Sequence, residues 1–183
     1  MESLNGQAQT LVAAATAAVN WFRRPAPSAL SAARTARLRA LGWREAAVSA
    51  LKPVRGVVKN DAADLSYALR EAVEHSTQAV SEAARYGVDS DAGLLETAEA
   101  VREAAKSLAA AAAARGKTRA DALIESKRWA LEAERVRRLV RADAHEEPSL
   151  ARALKRETVS ARLSNAAAAV HEACDALAGE LAE

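Results

Sequence analysis

Aromatic residues are nearly missing from this chain: three Trp, two Tyr and one Phe, 3% of 183 residues. Glycine (7) and proline (4) are few, and β-branched side chains are sparse. Sheets rely on Val, Ile, Thr and aromatics, so these shortages exclude a β-rich fold. A single cysteine, Cys174, excludes an internal disulfide and a thiolate-cluster zinc site, and fits a reducing compartment. The longest near-uniform apolar run, residues 108–114, falls far short of the roughly 20 residues of a membrane span. The N-terminal stretch lacks a basic region followed by an apolar core, so no signal peptide is expected. The expectation is a soluble, cytoplasmic protein, peripheral at most at the inner membrane face. Phosphate-loop and dinucleotide glycine patterns are absent, as is a nucleophile turn. No enzyme is expected.

What remains is alanine. Half the residues are apolar and Ala dominates them, which is the composition of an all-α bundle. The chain is long enough to bury one real core. Its punctuation predicts six helices. The first covers residues 3–22, with Leu4, Ala8, Leu11, Ala15, Val19 and Phe22 on one face, and Pro25 and Pro27 stop it. Ser28 is placed to cap a second helix whose inward positions read Leu30, Ala33, Leu38, Leu41, Val48 and Leu51, weakened at Gly42. Pro53 and Gly56 close it into a connection ending near Asn60.

A third helix opens at Asn60 or Asp61, with Asp64 in its first turn, and carries Leu65, Leu69, Ala72, Val73, Val80 and Ala83 to a stop at Gly87. Asp89 to Asp91 caps a fourth with Leu94, Leu95, Ala98, Val101, Ala105, Leu108 and Ala112 inward, ended by Gly116. Thr118 and Asp121 resemble a capping box for the fifth, whose inward positions read Ile124, Leu131, Val136, Leu139 and Val140. The sixth covers residues 149–182 after Pro148, capped by Ser149. Its seam is Val159, Leu163, Ala166, Ala167, Val170, Cys174, Leu177 and Leu181. Cys174 therefore reads as a small buried hydrophobe.

Six helices divide into three plus three, and the sequence carries traces of a duplication. Ala79-Val80-Ser81-Glu82-Ala83 pairs with Ala169-Val170-His171-Glu172-Ala173 at an offset of 90, which keeps Leu69 on Val159 and Val73 on Leu163. Trp43 and Trp129 lie 86 apart in the second and fifth helices. The expected organisation is one helical domain, 1–183, with two three-helix halves at 1–88 and 89–183. Alanine-rich helices also resemble one another by chance, which is the competing explanation.

Charge is uneven along the chain. The net charge is +2, but residues 23–59 hold nine basic groups against Glu45 alone, a local +8. Arg34, Arg37, Arg39, Trp43 and Arg44 mark a helix face suited to an acidic partner or an anionic membrane surface. The plainer alternative is that these arginines pair with the acidic later helices or point to water. No nucleic-acid motif accompanies the charge, so such a partner is not expected.

The segment Ala153-Leu154-Lys155-Arg156-Glu157-Thr158-Val159, followed by Arg162-Leu163-Ser164-Asn165-Ala166-Ala167, resembles the final helix of PhoU-like phosphate-transport accessory proteins. The subgroup is the one associated with Pit-type transporters. Residues 124–129 and 132–135 are similar to that family's fifth helix, and Ala84-Arg85-Tyr86-Gly87-Val88 to the end of its third; the likeness covers about residues 61–183. It implies a pair of three-helix bundles that bind a membrane phosphate transporter or another protein partner.

The same resemblance implies metal clusters, divalent or iron, held by acidic residues one turn apart. Here Glu71 and Glu74 keep that pattern beside Arg70, Ala130 and Glu134 stand for one pair, and Ser164 and Ala168 for another. The cluster is eroded, so no cofactor is expected; Glu71, Glu74 and Glu134 are the residual metal candidates. His75 beside Glu71 and Glu74, and His171 beside Asp175, read as solvated faces, since a bundle metal site needs Glu three residues before His. Ala72, Ala142 and Ala168 occupy those positions. The alternative function is a structural amphipathic-helix protein that coats a membrane or granule or assembles with other helical chains, copies of itself included.

Overall fold

The computed structural model describes residues 2–51, 57–89, 91–144 and 147–179. They form six helices and, among the described residues, no strand. The helices are α1 (Glu2–Arg23), α2 (Pro27–Leu51), α3 (Val57–Tyr86), α4 (Ala92–Ala113), α5 (Gly116–Ala144) and α6 (Leu150–Gly179). The expected all-α, six-helix architecture is what the chain forms.

The ends of the helices follow local chemistry, with three departures from expectation. Pro27 rather than Ser28 opens α2, because proline's fixed φ suits the first helical position and its missing N–H is no loss there. α3 starts at Val57, ahead of Asn60 and Asp61; neither Gly nor Pro lies between 57 and 61 to stop it. α4 ends at Ala113 and α5 begins at Gly116, so Thr118 sits inside the first turn. Gly116 takes φ 54°, a conformation that suits a residue without Cβ, and this lets the chain reverse in two residues. Two caps are as expected. Asp91 accepts from the Leu94 N–H at 2.9 Å, and Ser149 from the Arg152 N–H at 3.4 Å. The expected connection at Pro53–Gly56 and the inward Leu181 fall outside the described residues.

Consecutive helices run antiparallel. α1, α2 and α3 touch one another, as do α4, α5 and α6; the two sets meet where α1 crosses α4 and α3 crosses α6. The core is stacked in two levels along the bundle, and both levels draw side chains from all six helices. More than half of the buried apolar residues described are alanines. Large side chains fill the gaps: Leu11, Phe22, Leu65, Leu94, Leu108 and Leu163 are completely enclosed.

Helices α2 and α5 correct the inward faces read from sequence. Leu38 is 70% exposed and Leu41 49%, whereas Ala29, Ala33 and Ala36 are buried. In α5, Ile124 (67%), Leu131 (63%) and Leu139 point outward, and Leu123, Ser126, Ala130, Ala133, Val136 and Val140 are buried. Both true seams keep three-and-four spacing; that of α2 is built of alanines, and that of α5 joins the expected Val136 and Val140 to Leu123 and the small residues Ser126, Ala130 and Ala133, which let these helices lie close to their neighbours.

Glycine supplies one further close approach. A Cβ on Gly93 of α4 would stand 2.4 Å from Cγ2 of Val140 in α5. Alanine for glycine ordinarily favours a helix by up to about 1 kcal/mol, while overpacking costs about 1–3 kcal/mol; here the clash wins. Gly93→Ala is predicted to lower stability by roughly 1–2 kcal/mol in urea unfolding, and by much less in a Val140→Ala background. Stabilisation by the single change would contradict this packing.

Candidate functional site

Ion pairs link most of the helix contacts, and the residues singled out from sequence fall among them. Arg23 meets Glu99 at 2.6 Å between α1 and α4, and Arg156 meets Asp91 at 2.8 Å, so one carboxylate caps α4 and anchors α6. Arg162 of α6 takes Glu82 of α3 with both Nε and Nη2, at 3.0–3.2 Å. That forked geometry is the strong form of the interaction.

The first metal candidates lie on α3. Glu74 accepts from Arg37 of α2 at 2.8 Å and from Gln78 at 2.7 Å. Glu71 pairs with Arg70 at 2.5 Å and lies 3.7 Å from His75. The third, Glu134 on α5, accepts the Ser164 hydroxyl of α6 at 2.5 Å, with Arg137 and Arg138 each 3.7 Å away. Arg137 also reaches Ser164 (3.4 Å) and Glu157 (3.3 Å). Ala130 is buried in the core, and Ala168 is exposed and brings no ligand atom.

This donor set does not fit a metal. Each glutamate already faces a guanidinium of this chain, so the positive charge a cluster would supply is present as Arg37, Arg70, Arg137 and Arg138. Among the described residues, no group of three or more His, Cys, Asp or Glu is placed to hold an ion. His171 and Asp175 pair with each other at 3.3 Å, and Asp175 also binds Lys127 of α5. The Lys127 ammonium and, less strongly, His171 hold the Asp175 carboxyl below its usual range.

The basic face of α2 is divided. Arg37 is taken by Glu74, while Arg34 and Arg39 are exposed and meet no carboxylate among the described residues. Trp43 is half-buried against α1; a Cβ on Gly6 would come within 2.6 Å of its ring, so this tryptophan is a packing residue. The side chain of Arg44 lies outside the described residues. Sequence reasoning missed the exposed apolar neighbours Leu38 and Leu41, which the spacing 29-33-36-40 of the alanines places on the opposite face.

Cys174 is fully buried, as its place in the seam predicts. Its thiol donates to Ser126 Oγ at 3.2 Å, and Ser126 donates to the Ala104 carbonyl at 2.8 Å, a relay from α6 through α5 to α4. Burial pushes the thiol's pKa up, against the opposing effect of the Ser126 hydrogen bond.

Two predictions follow from this geometry. Arg137→Ala leaves Glu134 and Glu157 without their shared cation and is expected to cost about 1–2 kcal/mol, tempered by partial exposure; urea unfolding measures it, and no loss would contradict the network. Cys174 is expected to resist alkylation in the folded protein and react fully once unfolded. A raised folded pKa also means its stabilising contribution is complete below the ordinary thiol value of about 8.5 and is lost as pH rises through the raised one. Stability that falls above that pH in the wild type, and less so in Cys174→Ala, checks the sign.

Among known proteins, no family model and no curated sequence matches this chain.

Proposed function

We propose that the protein is a non-enzymatic accessory protein of phosphate transport, PhoU-like in organisation, which binds a membrane phosphate transporter or a phosphate-signalling partner. The observation that supports this reading most is the all-α, six-helix architecture, in which α1, α2 and α3 touch one another and α4, α5 and α6 do likewise around a core shared by all six. The likeness in residues 124–135 and 153–167 implies a six-helix chain of this kind. Among the described residues, no helix is long and apolar enough to cross a membrane. A transporter partner would therefore supply the membrane span, and this chain would contribute a surface. On α2 that surface joins Arg34 and Arg39, which meet no carboxylate among the described residues, to exposed Leu38 and Leu41. The carboxylates are committed to arginines, so the reading does not include a metal cluster.

A second reading, a structural protein that coats a membrane or granule, is favoured by the exposed apolar residues Ile124, Leu131 and Leu139 on α5 together with the α2 face. Two experiments separate them. Co-purification from the native source is expected to recover a phosphate transporter or signalling component, and the Arg34→Ala/Arg39→Ala variant to recover several-fold less. Recovery of no such component, with flotation on anionic vesicles that the same variant loses, would replace the first reading with the second.

A further inference from the structure

A cavity of about 260 Å³ opens at the end of the bundle where α1, α3 and α5 begin and α4 and α6 finish. Its walls include Leu4, Leu65, Leu69, Leu108 and Leu177, leucines from four different helices, and Arg119 is the charged residue among the described residues that line it. The leucine side of this cavity suits a hydrocarbon chain, and a fully apolar cavity of about 150 Å³ accepts benzene. At the same density, 260 Å³ takes a tail of about ten carbons.

Arg119 is built into the turn that borders this cavity. Its Nε donates to the Ala114 carbonyl at 2.9 Å, which fixes the stem and leaves its terminal nitrogens with no carboxylate among the described residues. Arg115 and Lys117, exposed in the same turn, likewise meet no carboxylate among the described residues. The first N–H groups of α5, which starts at Gly116, add the positive end of a helix dipole beside them. Among the described residues arginines elsewhere are mostly paired; here Arg119, which lines the cavity, meets no carboxylate among them. A guanidinium fork matches a carboxylate through two parallel hydrogen bonds.

We propose that this cavity binds a medium-chain carboxylate, with the tail among the leucines and the headgroup paired to Arg119. The assignment is independent of the phosphate-transport reading. Charge complementarity selects the head, and the cavity volume limits the tail. A neutral alcohol of similar length is expected to enter the same space without the contribution of Arg119.

Calorimetric titration of the full chain with decanoate, and separately with octanol, tests the assignment. Saturable one-to-one binding of decanoate is expected, weakened about tenfold or more by Arg119→Gln while octanol binding is unchanged. Ala112→Phe, which places a ring in the cavity, is expected to remove both. Arg119 is half-buried at a turn, so its variant keeps the test decisive even where Ala112→Phe disturbs folding. No saturable binding of decanoate, or equal binding by Arg119→Gln, overturns the proposal. Retention on phosphatidylglycerol vesicles without uptake of free decanoate also overturns it, because the tail would then belong to a lipid.

Discussion

Close approach of helices through alanine is the constraint on which everything else in this molecule rests. A helix that presents Ala at three-and-four spacing buries little area per residue, so its neighbours must come near before the core excludes water. Once α1, α3, α4 and α6 are that close, few large side chains are needed, and Leu11, Phe22, Leu94 and Leu163 fill what space remains. Residues that would intrude are reduced to glycine, as at Gly6 beneath Trp43 and Gly93 beneath Val140. The long polar side chains are left at the rims of these contacts. There Arg23, Arg156 and Arg162 reach across to Glu99, Asp91 and Glu82.

That constraint explains what could be read from the sequence. Composition was sufficient for the all-α class, and the seams of α1, α3, α4 and α6 were legible because their Leu and Val positions coincide with their Ala positions. In α2 and α5 the two diverge. Reading the bulkiest residues chose Leu38, Leu41, Ile124 and Leu131, all exposed, over the smaller residues that pack. A periodicity weighted for small residues would have found 29-33-36-40 and 126-130-133. The pairing of Glu134 with Arg137 lies one turn apart and was open to inspection. Arg162 with Glu82, eighty residues apart, required the fold. The cavity beside Arg119 could not be foreseen either, since it is assembled from five helices.

The carboxylates that drew attention in the sequence take on a different role in three dimensions. Glu71, Glu74 and Glu134 occupy places where the family resemblance implies metal ligands, and each is held by a guanidinium of the same chain. An arginine supplies positive charge without a preformed oxygen cage, and it also ties α2 to α3 and α5 to α6. Arg34 and Arg39 on α2 and the cations of the α4–α5 turn, which meet no carboxylate among the described residues, leave positive charge at the surface.

The central claim is that arginines of the chain stand in for metal at these carboxylates. Metal analysis of protein purified from its native source, combined with thermal unfolding with and without chelator, tests it most directly. The predicted result is far less than one metal ion per chain and an unfolding midpoint that neither chelator nor added iron or manganese moves. A stoichiometric metal whose removal lowers the midpoint would contradict it.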